Sequence, residues 1–249
     1  MFLNATTFNQ PIGTWDVGSG TNFGGMFAIA SNFNQNIGAW DMSSATNISG
    51  MFSSASVFNN GGNDSIKNWN TINVTNMAEI FNSSSFNQPL SGWTISGVTN
   101  LFNVFRNCTS FNQDLSMWDT SNVTNLNDTF FNCPNFNGNI TTWDVSSVTN
   151  MTATFAFCTN FNQNIGGWIT SGVTSFANMF YNCSNFNQNI GGWETGSATD
   201  MVQMFYGTTV FNQNLTGWCV TNIASEPSGF ATGSALTSGN KPVWGTCPP

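Results

Sequence analysis

Three aromatic columns recur in phase along this chain, and no other feature limits its fold as strongly. The Phe that opens an FNQ-type motif stands at Phe8, Phe33, Phe58, Phe86, Phe111, Phe136, Phe161, Phe186 and Phe211. Every step is 25 residues except Phe58 to Phe86, which is 28. A second column runs Trp15, Trp40, Trp69, Trp93, Trp118, Trp143, Trp168, Trp193 and Trp218, and a third runs from Phe27 through Phe155 to Phe205. A period of this size means stacked repeats. A unit so short cannot bury its apolar face alone, so neighbouring units must cover one another. Residues 1–218 therefore read as a solenoid of about nine coils, with a loop insertion near 59–68. Residues 219–249, where the pattern stops and Pro accumulates, read as a C-terminal capping segment.

Within one coil, Leu101, Val104, Phe105 and Cys108 fall at offsets 0, 3, 4 and 7, the spacing of one helix face. A helix of about two turns is predicted here, too short to persist without packing. Asn22, Asn47, Asn76, Asn100, Asn125, Asn150, Ser175 and Asp200 precede this stretch in successive coils and are all good N-caps. Ahead of the cap, Ser147-Val148-Thr149 reads as a short strand with Val148 inward and Thr149 outward. The outward position is Thr in every coil that has it: Thr21, Thr46, Thr75, Thr99, Thr124, Thr149, Thr174 and Thr199. The FNQNIGGW arc reads as irregular, with its Phe, Ile and Trp inward and Asn162 bonding along the stack. Strands on one face and helical turns on the other predict a curved, right-handed body.

Met1-Phe2 stands one period before Met26-Phe27, so the numbering opens inside a unit, and Met1 reads as an internal residue of a longer precursor, the first residue of a fragment, or an atypical true start. No basic, apolar signal stretch opens it, and no apolar run is long enough for a membrane span. Three basic residues, Lys67, Arg106 and Lys241, face eleven acidic ones, which excludes a basic nucleic-acid footprint. Charged residues make up only 6 % of the chain, so Asn, Thr, Ser and Gly must cover the surface. Twelve N-x-S/T sequons are potential glycan acceptors in a eukaryotic secretory host.

Without His there is no Ser-His-Asp or Cys-His arrangement and no histidine metal site. Asp16, Asp41, Asp119 and Asp144 follow Trp in four coils, but that position is Asn, Thr, Ile, Glu or Cys elsewhere and reads as a solvent-facing turn. No enzymatic activity, metal or cofactor is expected. Cys108, Cys133, Cys158 and Cys183 form a column that other coils fill with Ala, Ser or Thr, which fits a small buried residue. Cys219 and Cys247 bracket the non-repeating segment, and a disulfide between them would stabilise it in an oxidising compartment.

The unit FNQNIGGW…VTNM…MF resembles the Asn-rich repeats of the BspA-like leucine-rich-repeat surface proteins. Trp118 to Asn125 (WDTSNVTN) and Trp143 to Met151 (WDVSSVTNM) carry the likeness most fully. The resemblance implies a leucine-rich-repeat-like fold and an extracellular or cell-surface location, with adhesion proposed for some members. It covers residues 1–218, and the PVWGTC ending is similar to segments found beyond such arrays.

Two functions follow as expectations. The first is an extracellular structural subunit of a fibre or matrix, assembling with copies of itself through its ends or sides. It rests on a first unit that begins mid-coil, on strand edges left unpaired there, and on a surface with little like-charge repulsion. The alternative is an adhesin that binds a glycan or a surface protein through the Thr-lined sheet face. Ice binding is disfavoured, because half the positions two before each Thr lack a hydroxyl.

Overall fold

The structure is a computed structural model that describes residues 1–249. Its regular elements are three short 3-10 helices, Asn60–Gly62, Asp64–Asn68 and Ser238–Asn240. The leucine-rich-repeat-like solenoid with a parallel sheet on one face and helices on the other is not what forms. Of 111 backbone–backbone hydrogen bonds, 109 lie outside helices and strands, in turns and between repeats.

The segment from Met151 to Cys158 shows why no helix forms. Ala153 and Phe157 have φ of +51° and +62°, in the left-handed region, which an α-helix cannot contain. The N–H groups of Thr154, Ala156 and Cys158 close turns onto the carbonyls of Met151, Ala153 and Phe155. The alternate N–H groups leave the coil: Met151, Ala153, Phe155 and Phe157 donate to Ser175, Ala177, Met179 and Tyr181 of the next repeat. A helix keeps its interior N–H groups to itself, whereas this backbone divides them between local turns and the neighbouring coil. The helical spacing is nonetheless a true burial pattern, since Met151, Thr154, Phe155 and Cys158 are all fully buried.

The expected strand shrinks to a single residue per coil. Isolated parallel bridges join Asn22 to Asn47 and Asn47 to Asn76, then run from Asn100 through Asn125, Asn150 and Ser175 to Asp200. The side chains of this column accept from the backbone N–H two residues on, as Asn150 Oδ1 does from Thr152 at 2.9 Å. They head turns instead of capping helices. The ladder is interrupted between Asn76 and Asn100, where the step is 24 residues.

The core is one continuous cluster in which each aromatic column stacks on itself. Phe155 lies 4.0 Å from Phe161 within its coil and 5.9 Å from Phe180 in the next. The Trp column repeats at 6.5 Å from Trp143 to Trp168 and 6.4 Å from Trp168 to Trp193. Trp143 Nε1 donates to the Leu115 carbonyl at 3.0 Å, and most of its column mates do the same one coil back. The FNQ motif is an amide ladder. Asn137 Oδ1 accepts from the Asn162 N–H at 2.9 Å and from Gln163 Nε2 at 3.2 Å. Gly166 follows because a Cβ there would sit 2.3 Å from the Asn189 carbonyl oxygen.

The insertion near 59–68 is folded down onto the previous coil. Asn60 is buried, accepts from the Ile37 N–H and donates to the Asn63 carbonyl, while Ile66 joins the core. Beyond Trp218 the chain continues the ladder: Phe205 and Gly207 donate to Phe230 and Thr232, and Cys219 is disulfide-bonded to Cys247.

Candidate functional site

The eight Thr of the expected binding face, from Thr21 to Thr199, are all exposed, but they do not lie on a sheet. Six of their hydroxyls are also engaged: Thr149 Oγ1 donates to the Thr124 carbonyl at 3.3 Å and Thr174 Oγ1 to the Thr149 carbonyl at 3.0 Å. Thr46, Thr75, Thr124 and Thr199 repeat the contact. The adhesin reading through a Thr-lined sheet is therefore corrected, because the sheet is absent and the side chains tie one coil to the next. The fibre reading is corrected with it. It required strand edges for copies to pair on, at the ends or sides, and the chain has no strands.

The Asp positions after Trp are spaced along the surface and act locally. Ser43, Ser121 and Ser146 hydrogen-bond the carboxylates of Asp41, Asp119 and Asp144 and hold their pKa values below the ordinary range. No group of His, Cys, Asp and Glu that could hold a metal ion is present. Cys108, Cys133, Cys158 and Cys183 are free and buried, each donating to a carbonyl one coil back, as Cys158 Sγ does to Phe130 at 2.9 Å. Ser84 and Thr208 occupy the same place with hydroxyls bonded to Phe81 and Phe205.

Burial pushes the Cys108 thiol up to about 12 and raises the other three as well. A thiol whose folded pKa is raised supports the fold fully below its unfolded value. That support is lost as pH climbs from about 9 toward 12. Urea midpoints are expected to fall across this window, and a Cys108→Ser variant should show a shallower fall than the parent.

One surface feature is not explained by the repeat. The residue after the core Phe column points outward and is Ala28, Ser53, Asn82 and Arg106 in earlier coils. It then becomes Phe131, Ala156, Tyr181 and Tyr206. Where the column lapses at Ala156, Phe157 leans in beside it. Its ring centre is 5.4 Å from Phe131 at 69° and 5.2 Å from Tyr181 at 50°. Tyr181 and Tyr206 stack at 4.7 Å.

Phe157 fills the place of the missing ring, and beside the strip lies a shallow depression of about 420 Å³ lined by Phe131, Thr152, Phe157 and Tyr181, with Ala153 and Ala156 buried beneath it. Asp128, Asn178 and Gln203 supply polar groups to its lining. Arg106 sits 3.4 Å from the Asp128 carboxylate and 4.0 Å from the Phe131 ring centre. Burial raises the Asp128 pKa, and Arg106 opposes that rise.

Left-handed backbone is not confined to this point, since Ile29, Glu79 and Gln203 adopt it at the same two positions of other coils. The positions of Ala153 and Phe157 are left-handed in neighbouring coils too, but there they are Asp128 and Asn178, or Asn132 and Asn182. Asn and Asp tolerate that conformation better than Ala or Phe. The inward columns do not mark this strip. The available signal was a run of aromatics at an outward position in an otherwise Asn- and Thr-rich surface.

The chain is similar to one described family, Mycoplasma protein of unknown function, DUF285, whose model matches residues 1–64, 60–156 and 126–241. This corrects the leucine-rich-repeat surface-protein resemblance, which also implied alternating strands and helices that the fold does not have. No curated protein and no solved structure matches.

Proposed function

The chain belongs to the DUF285 family, Mycoplasma protein of unknown function, and from that premise we propose a role that rests on its surface chemistry. In this reading it is a non-enzymatic recognition protein that works outside the reducing interior of the cell and takes its ligand along the aromatic strip, at the depression beside Phe131, Phe157 and Tyr181. The observation that carries it is the partly buried aromatic strip of Phe131, Phe157, Tyr181 and Tyr206, which lies outside the core cluster. Concave, ring-lined surface with a few polar groups at its edge is the usual form of a small-ligand site.

The compartment is inferred from the cysteines. The disulfide between Cys219 and Cys247 has one exposed partner, and such bonds persist in oxidising surroundings. The four thiols left free are the ones that solvent oxidants cannot reach.

Both tyrosines of the chain lie on the strip, so tyrosine nitration reports on it directly. A bound ligand is expected to slow nitration of Tyr181 during a screen of sugars, amines, peptides and organic acids. Protease treatment of intact producing cells should release peptides in which Cys219 remains linked to Cys247. Unchanged nitration across the whole screen would sink the recognition role, and a chain recovered only from cytosol with both thiols reduced would sink the location.

A further inference from the structure

Tyr181 and Tyr206 are the only tyrosines in the chain, and they occupy the same outward position of consecutive coils. Their ring centres are 4.7 Å apart and their planes lie 4° from parallel. The buried columns do not come as close from coil to coil: Phe155 to Phe180 is 5.9 Å and Trp168 to Trp193 is 6.4 Å. The tyrosine separation matches the rise of about 4.8 Å between stacked chains, so one ring is close to a translated copy of the other. Like atoms face like atoms, and the carbons ortho to each hydroxyl are paired across the stack.

Both rings are partly exposed, whereas the Trp column from Trp40 to Trp218 and the four free thiols are buried. A one-electron oxidant in solvent therefore meets these phenols before it meets the buried indoles and thiols. Phe131 and Phe157, the other members of the strip, carry no phenol and do not compete. Two reacting groups held side by side turn a bimolecular coupling into an effectively unimolecular one. Exposed side chains reorient on the ps–ns timescale, which lets a stacked pair swing into the contact that a carbon–carbon bond needs.

We propose that Tyr181 and Tyr206 form a modification site at which oxidation joins two consecutive coils through a dityrosine bond. The site needs no ligand on the strip and does not depend on the recognition role. Hydrogen peroxide, used by a haem peroxidase, supplies the oxidation. Each phenol gives up one electron and its hydroxyl proton, which leaves two phenoxyl radicals. These join ortho carbon to ortho carbon, and enolisation moves the two ortho hydrogens to the oxygens as protons. In all, two hydrogens leave the chain and one peroxide becomes two waters. The product fastens the coil of Phe180 to that of Phe205 from the outside, across one repeat period.

The test treats the full chain, kept dilute, with a haem peroxidase and hydrogen peroxide. Intact mass, dityrosine fluorescence and the peptides released by digestion are followed on the monomer. The parent is expected to lose the mass of two hydrogens and to yield one linked pair of peptides carrying Tyr181 and Tyr206. Tyr181→Phe and Tyr206→Phe each keep the ring and remove one phenol, so neither should form a bond within the chain. A Phe131→Tyr, Tyr206→Phe double variant keeps two phenols on the strip but sets them two coils apart. Its yield within the monomer should fall about tenfold below that of the parent. The near-ultraviolet spectrum of the Trp column should be unchanged in every variant, separating lost coupling from lost fold. A parent monomer that keeps both hydrogens, whether unreacted or joined only to other copies, overturns the proposal. Equal yield from the parent and the double variant overturns it as well, because the stack would then contribute nothing.

Discussion

Trp143→Ala is expected to lower stability by about 3–5 kcal/mol, the range for removing a large buried aromatic side chain. Trp143 is only 3 % exposed and stacks 6.2 Å from Trp118 on one side and 6.5 Å from Trp168 on the other. Its deletion leaves a cavity between coils and strands the Leu115 carbonyl that its Nε1 bonds at 3.0 Å. A control sits one coil away. Trp168 Nε1 is buried with no hydrogen-bond partner, so Trp168→Ala breaks no such bond and should cost less by about 1 kcal/mol. Urea unfolding followed by circular dichroism measures both. A loss below about 1 kcal/mol for Trp143→Ala would mean that the columns do not hold the coils together.

Removal of the disulfide should have the next largest effect. For a sequence separation of 28, the loop-closure relation gives about 3–4 kcal/mol. A Cys219→Ser, Cys247→Ser double variant is expected to lose that much, with the loss concentrated at the end of the chain. Phe230 is fully buried and packs edge-on against Phe205 at 5.4 Å, so the segment beyond Trp218 would still have an apolar anchor. Hydrogen exchange should then show faster exchange at Val220 and Phe205, whose N–H groups bond to Thr246 and Phe230, and little change near Phe105. Uniform acceleration along the whole chain would contradict a stack whose units depend mainly on their neighbours.

Much of the molecule is legible from spacing alone, because side-chain burial is what the columns encode. Phe105, Phe130 and Phe155 are in the core, and Asn162 bonds along the stack through the amide of the previous coil. A burial pattern does not by itself specify a backbone. Offsets of 0, 3, 4 and 7 describe Leu101 to Cys108 equally well as a helix or as linked tight turns. The distinction lay in Asn103 and Asn107, four residues apart and both left-handed. Asn, Asp and Gly recur at these two positions, a signal for turns that the apolar stripe outweighed. Alternation predicts Thr149 outward and it is exposed, yet its hydroxyl serves the coil behind it. The aromatic strip is not legible from recurrence, because it depends on one coil departing from its neighbours at Ala156 and Phe157.

The interruption between Asn76 and Asn100 gives the body a seam. On either side the bridges run unbroken, but here Thr99 does not donate to Thr75 as Thr124 does to Thr99. Glu79, Phe81 and Ser83 still bond across it to Phe102, Val104 and Arg106, so the joint is hinged along one edge instead of severed. A pull applied to the two ends would concentrate at the edge that lacks its rungs. The crack would open there and run toward the bonded edge, parting the array into three coils and six before any single coil unravelled.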